Sequence, residues 1–209
     1  MKLTILGLTL LFAAFPALAD ENPINNFHVV VPGKIYRGAD PESNQDGLAY
    51  LAKIGVVSDV DLEGGDTILG IPVSKDETQK HFDQERSLAQ KDGIKNFFGE
   101  SLDALKLDQD DQDPEINHIL EIVANPANQP IFIHCQLGSD RTGLIVALYR
   151  VFYQGCTPDQ AHEEWMQYGH SGWLKLMDAY FYAKVKNDPR TRETPAATCP
   201  LSSQPICIQ

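Results

Sequence analysis

Ile131-Phe132-Ile133-His134-Cys135-Gln136-Leu137-Gly138-Ser139-Asp140-Arg141-Thr142-Gly143 is the stretch on which the reading of this chain turns. Ile131-Phe132-Ile133 is short and wholly apolar, the pattern of a buried strand. Gly138 marks a tight loop. From Thr142 the run Leu144-Ile145-Val146-Ala147-Leu148 is apolar all round, as a buried helix is. A strand therefore delivers Cys135 at its carboxyl end, and a helix starts at Arg141 or Thr142. In α/β sheets, ligands bind outside the carboxyl ends of strands. A helix N-terminus presents unpaired N–H groups and the positive end of a dipole. A loop wrapped around that point makes an anion cradle. Such a cradle binds a phosphoryl group and favours the thiolate of Cys135. A thiolate nucleophile splits one hard hydrolysis into two easier steps. Arg141 can grip two phosphoryl oxygens with its planar fork, and those contacts strengthen as charge spreads in the transition state.

Working outward, strands alternate with helices, which predicts an α/β layer fold in a single domain, a short central sheet flanked by helices. Val29-Val30-Val31 and Ile35-Tyr36 around Pro32-Gly33 read as a hairpin. Asp46 to Ile54, with Leu48, Leu51 and Ile54 at helical spacing, reads as a helix ended by Gly55. Val56 to Leu62 is a strand, Asp76 to Lys91 a polar helix, and Ile94 to Phe98 a short strand. Gly99 to Asp113 is an acidic loop. Pro114 begins a helix with Asp113 as its cap. Thr157-Pro158-Asp159-Gln160 is a helix start with a capping-box pair, and Trp173 to Lys186 is the last helix.

The chain has 209 residues, 43% of them hydrophobic, and a formal charge of −12. That composition supports one packed domain and argues against nucleic acid as a partner, which needs a basic footprint. Polyanionic substrates remain possible where a site is locally positive, with salt-dependent rates. No apolar run reaches the ~18–20 residues of a spanning helix, so stable membrane insertion is not expected. Met1-Lys2, the apolar run Leu3–Phe15 and Ala17-Leu18-Ala19 have the three marks of a secretory signal peptide, residues 1–19, cleaved after Ala19. The expected location is periplasmic or secreted. Residues 20–186 are read as the domain and 187–209 as a tail. In an oxidising compartment Cys199 and Cys207 are expected to pair across that tail. Cys156 reads as a buried hydrophobe, with a resolving thiol for Cys135 as the alternative. The four cysteines fit no zinc pattern, and neither a metal nor a cofactor is expected.

His-Cys-x5-Arg-Thr-Gly resembles the signature loop of cysteine-dependent protein tyrosine and dual-specificity phosphatases. Lys34-Ile35-Tyr36-Arg37-Gly38-Ala39-Asp40-Pro41 resembles the opening of the small dual-specificity enzymes, and Pro126-Ala127-Asn128-Gln129-Pro130 resembles the plant and fungal atypical members. The resemblance implies a protein tyrosine phosphatase-like fold, with Cys135 as nucleophile and Arg141 as phosphate clamp. It implies that Thr142 offers its hydroxyl to the thiolate and that His134 supports it. The backbone of Gln136, Leu137, Gly138, Ser139, Asp140 and Arg141 would cradle the phosphoryl group. The family also uses an aspartic acid as general acid, on a loop before the helix that precedes the signature strand. Asp108 stands six residues before Pro114-Glu115, the spacing of bacterial phytases of this type, and is favoured. Asp110 and Asp111 are the alternatives.

Asp140, directly before Arg141, departs from the common loop and resembles the "DRT" loops of lipid-acting phosphatases. It either orients Arg141, the preferred reading, or serves as an acid. Arg37 is either a substrate contact or part of a structural ion pair. Asp61-Leu62-Glu63-Gly64-Gly65 resembles a segment of the phytases. The expected substrate is therefore an inositol polyphosphate, then a phosphotyrosine protein, then a phosphoinositide; a phosphate-binding pseudophosphatase is the non-enzyme alternative.

Overall fold

A computed structural model describes residues 22–43, 46–64, 67–68, 71–72, 74–103, 107, 112–186 and 188–203. The signal-peptide residues 1–19 lie outside the described residues. Strands β1 (His28–Val31) and β2 (Ile35–Ala39) form the expected hairpin, turning at Gly33 with φ 68°. Helix α1 (Gly47–Lys53) leads to β3 (Ser58–Asp61). A small ribbon follows, β4 (Thr67–Ile68) and β5 (Ile71–Pro72), then helix α2 (Lys75–Asp92) and β6 (Asn96–Gly99). Helix α3 (Gln112–Ala124) precedes β7 (Ile131–Cys135), and α4 (Asp140–Gln154), α5 (Pro158–Gln167) and α6 (Lys175–Lys186) follow.

The main sheet runs β1-β2-β7-β3-β6. Only the β1–β2 pair is antiparallel; β7 lies at the centre, parallel to β2 and β3. All five β7 residues are buried, which is what an apolar run in a two-sided sheet requires. Side chains alternate across the strand. Ile131, Ile133 and Cys135 join the larger core with Ile116, Ile119, Leu144, Leu148, Trp165 and Phe181. Phe132 faces a smaller core with Leu48, Leu51, Ala89 and Ile94. Each leucine, isoleucine or phenylalanine among them contributes about 1.5–3 kcal/mol when fully buried.

Local signals set the helix ends. The capping box at Thr157 forms, with the Gln160 N–H donating to Thr157 Oγ1 at 3.3 Å and the Thr157 N–H donating to Gln160 Oε1 at 3.1 Å. Ser74 and Glu77 make the same arrangement at α2, which starts there rather than at Asp76. Helix α3 begins at Gln112, before Pro114, so Asp113 is not its cap. Asp113 sits in the first turn and accepts from Tyr180 Oη and Lys184 Nζ of α6.

The tail corrects one expectation. Cys199 is bonded to Cys156, not to Cys207, which lies outside the described residues. Gly155 ends α4 with φ 68° and places Cys156 in the core. The Ala196 N–H donates to Gly155 O at 2.8 Å, and Thr198 Oγ1 to Gln154 O at 2.8 Å. These bonds turn Cys199 inward, with its Cα 4.8 Å from that of Cys156. Cys156 is thus neither a plain hydrophobe nor a thiol available to Cys135, the free cysteine among the described residues.

Candidate active site

Cys135 ends the central strand, 3% exposed, and the chain then turns through residues 136–139 into α4. The Gly138 N–H donates to Cys135 O at 3.2 Å, closing the turn. Gly138 has φ 67°, and a Cβ there would stand 2.3 Å from Gly38 O of β2. Only glycine fits that close approach. Ser139 gives the helix start no side-chain cap, so the orphan N–H groups of the first turn are left for another acceptor. Cys135 thus ends a strand with four residues between it and an uncapped helix N-terminus.

The other signature residues each take their own surroundings. Arg141, in the first turn of α4, donates from Nη1 to Leu62 O at 2.9 Å, just past β3. Thr142 is fully buried, and its Oγ1 makes no hydrogen bond, so the hydroxyl contact to the thiol is not formed here. His134 lies on the opposite face of β7 from Cys135. It is fully buried, with Nε2 3.1 Å from Glu85 Oε1 and 3.4 Å from Asp59 Oδ1, and Nδ1 4.0 Å from Glu63 Oε1. Burial opposes its charge, but the carboxylates of Glu85 and Asp59 win and hold it well above the ordinary imidazole range. Burial first, and then Asp61, pushes Glu63 up to about 7.

Asp140 does not stand unpaired beside the cradle. Its Oδ1 accepts the Ser171 N–H at 2.8 Å and lies 2.7 Å from His170 Nδ1. His170 is buried and stacked on Trp165, ring centroids 3.8 Å apart. Its Nε2 lies 3.3 Å from Asp178 Oδ1, an oxygen also 2.7 Å from His162 Nε2. Trp165 Nε1 donates to Ser139 O at 3.0 Å, and Trp165 packs so tightly on Gly143 that a Cβ there would lie 2.1 Å from the indole. The carboxylate thus ties the start of α4 to the segment between α5 and α6.

For Arg37 the sequence leaves two readings, a substrate contact or a structural ion pair. Arg37 is 1% exposed, too deep for a substrate contact. β2 runs beside β7, and from it Arg37 Nη2 donates to Gly138 O while the guanidinium lies 4.9 Å from the Tyr168 ring centroid. Burial draws its pKa down to about 10, so it stays charged at neutral pH. Asn26, which the sequence reading did not single out, clamps the outer side of the loop: Nδ2 donates to Leu137 O and to Tyr168 O, both at 3.1 Å. Asp108, Asp110 and Asp111 lie outside the described residues; Leu102 and Leu107, which precede them, are fully buried.

Comparison with known proteins follows the same outline. The model of the tyrosine phosphatase family matches residues 21–167. The dual specificity protein phosphatase TpbA of Pseudomonas aeruginosa is 35% identical over 73 residues, 34% of this chain and 34% of that protein. The inositol diphosphatase SIW14 of Saccharomyces cerevisiae is 61% identical over 31 residues, 15% of this chain and 11% of that protein. The chain thus matches about a third or less of the length of these relatives. Among solved structures, the core catalytic domain of SIW14 from S. cerevisiae superposes with TM-score 0.54 at 23% identity, covering 78% of this chain and 90% of that one. P. aeruginosa TpbA does so with TM-score 0.54 at 21% identity, covering 78% and 91%. At these identities the superpositions speak for the fold, while the family match spans most of the domain and includes the whole Cys135–Arg141 loop: the chain belongs to the tyrosine phosphatase family.

Proposed function

We propose that the protein is a cysteine-dependent phosphatase that hydrolyses phosphomonoesters of inositol polyphosphates through a phosphocysteine intermediate. The observation that carries the chemistry is Cys135 at the end of β7, against the uncapped N-terminus of α4, with Arg141 in the same turn. The Cys135 thiolate attacks phosphorus, the P–O bond to the leaving group breaks, and Asp108 gives its proton to the departing oxygen. Water then attacks phosphorus, Asp108 takes a proton from it, and the P–S bond breaks to release inorganic phosphate and the thiolate. Arg141 and the loop N–H groups hold the equatorial oxygens through both steps.

The inositol class is supported by the density of identity with a yeast inositol diphosphatase and by the phytase-like spacing of Asp108. A phosphotyrosine protein is the second reading, favoured by the longer match to TpbA, a dual specificity protein phosphatase solved in complex with phosphotyrosine. Phytase activity in the strict sense, release of phosphate from inositol hexakisphosphate, is part of the proposal. So is export: the Cys156–Cys199 disulfide suits an oxidising compartment, as does the signal-like N-terminus.

The test is phosphate release, side by side, from inositol hexakisphosphate, a diphosphoinositol polyphosphate and a phosphotyrosine peptide. We expect the inositol compounds to be turned over faster by about tenfold or more in kcat/KM, a difference of about 1.4 kcal/mol. Faster turnover of the peptide transfers the assignment to the second reading. Cys135→Ser is expected to abolish release from all three; activity surviving that change would overturn the mechanism.

A further inference from the structure

On the α2 side of the sheet, behind the catalytic loop, a second set of donor atoms converges. Asp61 ends β3. His81 and Glu85 stand four residues apart on α2, hence on one face of the helix. Asp61 Oδ2 lies 2.8 Å from His81 Nε2, and Glu85 Oε2 lies 3.7 Å from the same nitrogen. All three atoms are buried, and none has a hydrogen-bond partner. The other oxygen of each carboxylate faces a different neighbour. Asp61 Oδ1 accepts the Glu63 N–H at 2.8 Å, and Glu85 Oε1 faces His134 Nε2 at 3.1 Å. Asp61 and Glu85 are themselves 0% exposed.

Ion pairing alone would bring the same groups close, but it would line an imidazole N–H up with a carboxylate lone pair. Here the nitrogen and one oxygen of each carboxylate lie within 4.8 Å of one another, outside hydrogen-bond geometry. The separations of 2.8 and 3.7 Å bracket the roughly 3.4 Å between neighbouring ligand atoms around one cation with bonds of about 2.0–2.2 Å.

We propose that Asp61, His81 and Glu85 form a binding site for a divalent transition-metal cation of the zinc class, distinct from the Cys135 loop. One imidazole nitrogen and two carboxylate oxygens suit zinc or manganese rather than calcium or magnesium, which take oxygen alone. The His81 side chain is about a third exposed while its Nε2 points inward, which gives the cation a way in. His134 is the outer partner that orients Glu85. Because His134 directly precedes Cys135, occupancy stiffens the end of β7 beneath the nucleophile. The sequence spacing did not disclose the site, because its ligands come from β3 and α2 and meet only in the fold.

The test uses the full chain carrying Cys135→Ser, which removes the competing thiolate, stripped with a chelator and titrated with zinc chloride by calorimetry. One cation per chain is expected to bind, and a hundredfold excess over Kd is expected to raise the melting temperature by about 5 °C. His81→Ala, at a partly exposed position, should weaken binding by about a hundredfold or more, above the ~10–100-fold that outer partners cost, and Glu85→Gln should do the same. His162→Ala, in the separate group with Asp178 and His170, should bind zinc as the parent does. No stoichiometric binding, unchanged affinity in His81→Ala, or a loss confined to His162→Ala would overturn the proposal.

Discussion

Two histidine–carboxylate groups flank the catalytic loop, and they are built on opposite principles. Behind β7, His134 lies among Asp59, Asp61 and Glu85, all fully buried, and much of that group lacks hydrogen-bond geometry. Beside α4, His170 joins Asp140 to Asp178 through contacts of 2.7–3.3 Å, with the Ser171 N–H and the Trp165 face completing the set. The first group keeps ionisable side chains in a dry place, on the far side of the strand that carries the nucleophile. The second fixes position, because Asp140 binds the start of α4 to the α5–α6 segment and Asp178 binds that segment to α6. One loop thus draws its field and its geometry from different sides, and the two can be broken separately.

The largest expected effect breaks the positioning side. Trp165 is among the largest fully buried side chains; it holds Ser139 O and backs His170. Trp165→Ala is expected to cost about 3–5 kcal/mol in denaturant unfolding, as aromatic truncations in cores do. Trp165→Phe keeps an aromatic face on His170 but leaves Ser139 O without its donor, and should cost about 1–3 kcal/mol. If kcat falls in Trp165→Phe while stability changes by less than about 1 kcal/mol, the indole N–H serves the loop and not the core.

The dry side is tested by pH. Burial first, against the pull of His134, and then Asp59 and Asp61 push Glu85 up to about 9. A carboxyl raised in the folded state binds a proton that the unfolded chain releases near its ordinary value. Stability therefore declines as pH rises from about 4.5 towards 9. His134, also raised, acts in the same direction above the ordinary imidazole value of 6.5. Glu85→Gln, which mimics the neutral acid, should flatten that decline and gain on the parent by about 1 kcal/mol or more at pH 9, measured with chelator present. A parent whose stability holds level from pH 5 to 9 would show that the group is not dry.

Much of the fold was legible because its decisive elements are local. The β7 strand is one apolar run, the loop from Cys135 to Arg141 is contiguous, and the Thr157 cap is a four-residue pattern. What escaped depends on contacts made across the sequence. Arg37 reads from the sequence as a substrate contact or part of an ion pair, yet it meets Gly138 O, 101 residues away. Glu85 looks like any other charge on a polar helix. It does, however, share the face of Phe82 and Ala89, the other buried residues of α2, and that spacing was the available signal. The Cys199 pairing failed for the same reason. A short Cys-to-Cys interval suggested a local loop, while hydrogen bonds to Gly155 and Gln154 brought a cysteine 43 residues distant into reach.

The smallest effect separates the two groups by the sign of their pH dependence. Asp178, at the rim of the positioning side, is held below the ordinary carboxylate range: partial burial opposes this, and His162 and His170 outweigh it. A depressed carboxyl contributes stability that is fully present above its unfolded value, near 3.8, and is lost as pH falls through the folded one. Asp178→Asn should therefore be less stable than the parent at pH 6, by less than about 1 kcal/mol because the pair meets solvent, and should match it in strong acid. The dry group loses stability towards alkali and this one towards acid, so the parent should be most stable between the two limits. If the difference between Asp178→Asn and the parent persisted unchanged at pH 2, Asp178 would act through packing and not through its charge on the two histidines.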